Sequence, residues 1–168
     1  MTTPAHHARK KLSAICSLEA YNRANKWHST RHNGRGLAVD AIYTKTSDRQ
    51  YLSKWLERFI IRWVNDHRPE WKALKVDNRG KAVLNRRVGG RANGEVLGVM
   101  GYRKDSAQLT GEPDIRVLRP GRMPLYFEVK IGADRLSQEQ KDFIAAGWGE
   151  VYVIKTIDGF FEVWDALD

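Results

Sequence analysis

The chain has 168 residues, enough for one domain with a real hydrophobic core and an appended arm. Its formal charge of +9 and pI near 9.8 point to a polyanionic partner. Nucleic acid fits better than membrane, because no stretch approaches the ~18 apolar residues of a spanning helix. No N-terminal signal sequence is visible.

Cysteine and histidine usage narrows the chemistry. The lone Cys16 excludes an internal disulfide and suits a reducing compartment, so the expected location is cytoplasmic or nucleoid-associated rather than secreted. The histidines form no Cys-x-x-Cys or His-Glu-x-x-His pattern, which argues against a zinc site.

Residues 1–47 read as a basic N-terminal extension, and residues 48–168 as the main domain. Ala5 to Asn25 predicts a helix carrying Leu12, Ile15, Cys16 and Leu18 partly on one face. The following Trp27 to Gly36 reads as a loop, either a DNA-contacting arm or a solvated tail. A clear helix follows: Leu52, Trp55, Leu56, Phe59, Ile60, Trp63 and Val64 recur at helical spacing and end near Arg68-Pro69. This stripe is expected to pack on a sheet. Glu57, at its flank, either pairs with Lys54 on the surface or serves a site.

From Lys75 to Lys104 the chain is basic and rich in glycine. Ala82 to Leu84 and Val96 to Met100 predict short strands, with Val88 to Gly94 as a hairpin tip. Lys81, Arg86, Arg87, Arg91, Arg103 and Lys104 are candidate contacts to a phosphate backbone, the alternative being a solubilising surface.

The stretch Gly111-Glu112-Pro113-Asp114 leads into an apolar strand, Ile115 to Leu118. Pro120, Gly121 and Pro124 form a turn before a second strand, Leu125 to Ile131, which carries Glu128 and Lys130. A hairpin pivoting near Gly121 sets Asp114 against Glu128 and Glu112 against Lys130 on one face. The other face pairs Ile115 with Phe127 and Val117 with Leu125; a one-residue slip would place charge among these apolar residues. Opposed carboxylates in a sheet repel unless a cation lies between them. A hard divalent ion such as Mg²⁺ takes one or two carboxylates and keeps waters. Lys130, on the same face as Glu128, could stabilise charge developing on a phosphate.

Beyond the hairpin, Ser137 to Ala146 predicts a helix with Phe143 and Ile144 inward, stopped by Gly147 and Gly149. Ser137-x-x-Gln140 is a capping-box pattern, so Gln140 either closes this helix or reaches a site. Val151 to Ile154 reads as a buried strand parallel to the Glu128 strand. Asp158-Gly159 reads as a tight turn before Phe160 to Trp164, which close the sheet or form a last strand.

Pro113-Asp114 followed by Glu128-Val129-Lys130 resembles the signature of the PD-(D/E)XK nuclease superfamily. Gly111, Leu136-Ser137 and Gln140 add a similarity to its virus-type replication-repair nuclease (VRR-NUC) branch, covering residues 111 to about 157. The resemblance implies an α/β, restriction-endonuclease-like core: a mixed β-sheet flanked by helices, here with an N-terminal basic helical extension. It implies metal ligation by Asp114, Glu128, the carbonyl of Val129 and an acid on the first core helix, for which Glu57 is the candidate. Lys130 would be the catalytic lysine and Gln140 an active-site helper.

The function so implied is a Mg²⁺-dependent DNA endonuclease, with Mn²⁺ able to substitute. It would prefer branched DNA such as four-way (Holliday) junctions, in repair or recombination, and act as a homodimer. The alternatives are a non-catalytic DNA-binding module, a sequence-specific restriction-type enzyme and an RNA-directed nuclease.

Overall fold

The computed structural model describes residues 12–31, 48–76, 81–86, 96–103 and 109–167. Within them the chain is α/β. Helix α1 (Leu18–Arg31) and helix α2 (Asp48–His67) precede strands β1 (Lys72–Lys75), β2 (Lys81–Arg86), β3 (Val96–Arg103), β4 (Ile115–Leu118) and β5 (Leu125–Val129). Helix α3 (Gln138–Ala145), strand β6 (Glu150–Ile154) and helix α4 (Ile157–Ala166) complete the order. Strands β1, β4, β5 and β6 lie side by side in that order as a mixed sheet, and β2 and β3 form a separate antiparallel pair.

The hairpin register follows the apolar pattern. Strand β4 runs antiparallel to β5 with Ile115 opposite Phe127 and Val117 opposite Leu125. All four are completely buried. Burying such side chains contributes roughly 1.5–3 kcal/mol each, far more than an exposed ion pair, so this face decides the register. Against it pack Leu56, Ile60 and Val64 of α2 and Ile157 and Phe160 of α4. Leu12, Ile15, Ala20, Tyr21 and Ala24 join the same core from the α1 side.

Arg116, opposite Tyr126, belongs to the other face of the sheet. Helix α3 covers that face, its Phe143 ring meeting Tyr126 edge-on at 5.1 Å. Helices therefore flank the sheet on both sides, and none among the described residues is long and apolar enough to cross a membrane.

Five local expectations need correction. Trp27 to Arg31 are the last turns of α1 rather than loop, because Trp27 finds Phe59 and Trp63 of α2 at 5.6 and 5.2 Å between ring centroids. Phe160 to Trp164 are helical: the apolar positions Ile157, Phe160, Phe161 and Trp164 repeat with helical period. The supposed Asp158-Gly159 turn is that helix's first turn, capped by the Thr156 hydroxyl, which accepts from the Gly159 N–H at 3.0 Å. Strand β6 pairs with β5 in parallel as expected, but it is an edge strand and leaves Val153 exposed. In α3, Phe143 is buried while Ile144 faces outward.

Strand β1 was not foreseen in the sequence, since Lys-Ala-Leu-Lys carries one buried residue, Ala73, between two lysines. Short, lysine-bearing strands are characteristic of sheet edges, where they discourage pairing with other chains. Burial, and then the charge of Asp158, pushes the Cys16 thiol up to about 12, which disfavours the nucleophilic thiolate.

The backbones of Lys81, Arg86 and Arg103 fall on the β2–β3 pair, where Lys81 lies opposite Arg103 and Arg86 opposite Val96. Arg87, Arg91, Lys104 and the expected tip at 88–94 lie outside the described residues, as do 32–36 of the expected basic loop.

Candidate active site

The acidic pair sits where the β4–β5 hairpin opens. Asp114 immediately precedes β4, and its N–H donates to Glu128 Oε2 at 3.3 Å. Its own carboxylate returns the link, Oδ2 accepting from the Val129 N–H at 3.0 Å. Backbone and side chain thus lace the two strands together and keep the two carboxylates adjacent.

Two further groups converge on Glu128, which is almost completely buried. Lys130 Nζ lies 2.7 Å from Glu128 Oε1. Gln140 Nε2 donates to the same oxygen at 2.6 Å. The other end of the Gln140 amide, Oε1, accepts from the Ser137 N–H at 3.0 Å, while Ser137 Oγ accepts from the Gln140 N–H at 3.2 Å. The two roles weighed for Gln140 are therefore not alternatives. One amide closes the capping box of α3 and delivers its NH₂ to Glu128.

Gly111 explains how α3 reaches the pair. Its backbone lies directly against the Glu139 carbonyl and the Gln140 amide in the first turn of α3, at a positive φ of 77°. A side chain at this position would strike backbone. The glycine therefore docks the loop that carries Asp114 onto the turn that carries Gln140.

The neighbouring charges are arranged differently from the hairpin expectation. The buried carboxylate of Glu112 pairs with Arg116, four residues on in β4. Lys130 is left to Glu128. Glu57 pairs neither with Lys54 nor with the hairpin acids but with Lys75 at the end of β1. Lys75, read in the sequence only as one cation of a basic stretch, is thus part of the site's surroundings. No sequence pattern marks it, because its place depends on β1 lying beside β4.

Burial raises the pKa of the Asp114 carboxyl above the ordinary carboxylate range, and the charge of Glu128 raises it further. The Val129 N–H and the charges of Lys130 and Lys75 oppose this without cancelling it. Ionised Asp114 accordingly costs the folded chain stability. That cost is absent below the ordinary range near 3.8 and sets in as pH rises through the raised pKa. Asp114→Asn in metal-free buffer should therefore melt higher than wild type at neutral pH, by roughly 2–4 °C per kcal/mol relieved. The gap should close as pH falls toward about 4. Calorimetric melting across that pH range tests it, and no gap at neutral pH would contradict it.

Among the described residues no three Asp, Glu, His or Cys side chains gather at one point. The donor set is two adjacent carboxylates, of which Glu128 is enclosed and Asp114 resists ionisation, first because of burial and then because of the charge of Glu128. Two hard oxygen donors fit Mg²⁺ or Mn²⁺, which commonly take one or two carboxylates and complete their shell with water. An ion there would offset both the burial of the Asp114 charge and its repulsion with Glu128. Compared with family models, curated proteins and solved structures, the chain has no significant match.

Proposed function

We propose that the chain is a Mg²⁺-dependent endodeoxyribonuclease of the PD-(D/E)XK superfamily, similar in its motif to the VRR-NUC branch. The observation that carries this reading is the convergence of Asp114, Lys130 and Gln140 on the buried Glu128. An isolated ion pair would need one acid and one base. Here a second acid is held beside the first by reciprocal backbone hydrogen bonds.

Asp114 and Glu128 would hold the ion, joined by the Val129 carbonyl as the resemblance implies. A bound divalent ion would supply Lewis acidity toward a phosphoryl oxygen and make water nucleophilic near neutral pH. Lys130 would place positive charge where the phosphate gains negative charge in the transition state. Gln140 fixes Glu128 Oε1, so the carboxylate meets its ligand without reorganising. The positive net charge, including Lys81, Arg86, Arg87, Arg91, Arg103 and Lys104, would hold the DNA by its phosphates. The branched-DNA preference and paired-strand cutting by a homodimer come from the resemblance alone.

Incubation with linear, flapped and four-way-junction DNA, with Mg²⁺ or Mn²⁺, tests the reading directly. Cleavage of the junction with linear duplex left largely intact is the expected result. Discrete bands from linear plasmid would indicate a restriction-type enzyme, and preferential cutting of RNA an RNA-directed one. Binding without cleavage of any substrate would make the chain a DNA-binding module and end the nuclease reading.

A further inference from the structure

We infer that Lys75 is a substrate-positioning residue whose ammonium, anchored on Glu57 at the end of the strand that pairs with β4, holds a backbone phosphate flanking the one at the acidic pair. The inference rests on the nuclease reading and names a contact the motif does not contain.

Lys75 is tied to the site through the backbone. It lies opposite Ile115 in the β1–β4 pairing, and the next residue, Val76, donates its N–H to the Asp114 carbonyl at 2.8 Å. Any shift of Lys75 would therefore shift the residue that carries the first acid.

Its side chain reaches across to α2, where Nζ is ion-paired with Glu57 Oε2. The two ends of this pair have very different access to water. The Glu57 side chain is 9% exposed and that of Lys75 is 50% exposed. The carboxylate is the anchor and the ammonium is the open end. An ammonium has three N–H donors, so one fixed by Glu57 keeps donors for a second anion. A free surface lysine would lose rotamer freedom on gripping a phosphate; this one is already ordered.

The contrast with Lys130 supports a division of labour. Lys130 is 16% exposed and spends its charge on Glu128, inside the site. Lys75 stands at the rim, close enough for its charge to oppose the raised pKa of Asp114. A polyanion laid over the acidic pair would need such a cation beside it, because the carboxylates themselves repel phosphate.

The test is the salt dependence of binding to a fluorescent duplex DNA by the full chain in EDTA. Losing one phosphate contact should make the slope of log K against log salt shallower by about 0.9. Lys75→Met should show this change and weaken binding by about tenfold at low salt, whereas Lys75→Arg should keep the wild-type slope. In Mg²⁺, Lys75→Met should raise KM with kcat nearly unchanged, the mark of lost ground-state binding. Lys75→Met leaves Glu57 enclosed without its partner, so the double variant Lys75→Met/Glu57→Gln guards against misfolding and should give the same shallower slope.

A wild-type slope in the single and double variants overturns the inference while leaving the nuclease reading intact. A shallower slope with no cleavage by wild type ends the nuclease reading, and Lys75 is then a phosphate contact of a DNA-binding module. A wild-type chain that does not bind DNA overturns both.

Discussion

Replacing Glu128 with alanine should abolish metal-dependent cleavage, by a factor on the order of 10³ or more, while DNA binding in EDTA persists. The size follows from how many contacts end on this carboxylate. Oε1 accepts from Lys130 and Gln140, and Oε2 from the Asp114 N–H. Alanine removes one ion ligand and leaves Lys130, largely enclosed, with no carboxylate in direct contact except what Asp114 can offer.

Breaking a buried pair by deleting one partner costs about 3–5 kcal/mol, so the variant also risks partial unfolding. Two controls separate chemistry from folding. Glu128→Gln keeps the volume but sets an NH₂ among donors that need an acceptor, so it too should be inactive. Glu128→Gln/Lys130→Met removes both charges and should regain melting temperature without regaining activity. Recovery of cleavage in that double variant, or cleavage by Glu128→Ala within about tenfold of wild type, would show that the acidic pair is not the reacting centre.

The hairpin was legible because its information is local. Alternation between Ile115, Val117, Leu125 and Phe127 fixes which side chains face the core, and the charged residues must then share the other face. Helix α2 was legible for a similar reason: its apolar stripe repeats over many turns. What escaped depends on distant partners. Trp27 to Arg31 look like loop until Phe59 and Trp63 supply a surface for the indole. Phe160 to Trp164 have the composition of a strand, and only the spacing of Ile157, Phe160, Phe161 and Trp164 marks them as helix. The link between Glu57 and Lys75 joins a helix to an edge strand that the sequence did not reveal. Gln140 illustrates the intermediate case. Its spacing from Ser137 announced the cap, but the reach of the same amide to Glu128 exists only because α3 is docked on the hairpin loop.

That docking depends on Gly111, and Gly111→Ala should be among the most damaging single-methyl changes in the chain. Two costs add. At a φ of 77° an alanine pays roughly 1–2 kcal/mol for the left-handed backbone. Its Cβ would also overlap the Glu139 carbonyl and the Gln140 amide, which are helix backbone and cannot rotate aside. Either the loop or the first turn of α3 must move. The loop carries Asp114, and the turn carries the amide that holds Glu128.

Gly121 provides the matched control. Its φ of 66° imposes the same backbone penalty, but a Cβ there would meet nothing within 4 Å. Gly121→Ala should lower the melting temperature by roughly 2–8 °C, as expected for ~1–2 kcal/mol in a chain of this size. Gly111→Ala should lose at least about twice as much. At a temperature where the variant is still folded, its kcat should fall as well, because Gln140 is displaced. Equal melting of the two variants, with cleavage unaffected in both, would mean that the approach of Gly111 to α3 does not hold the acidic pair in place.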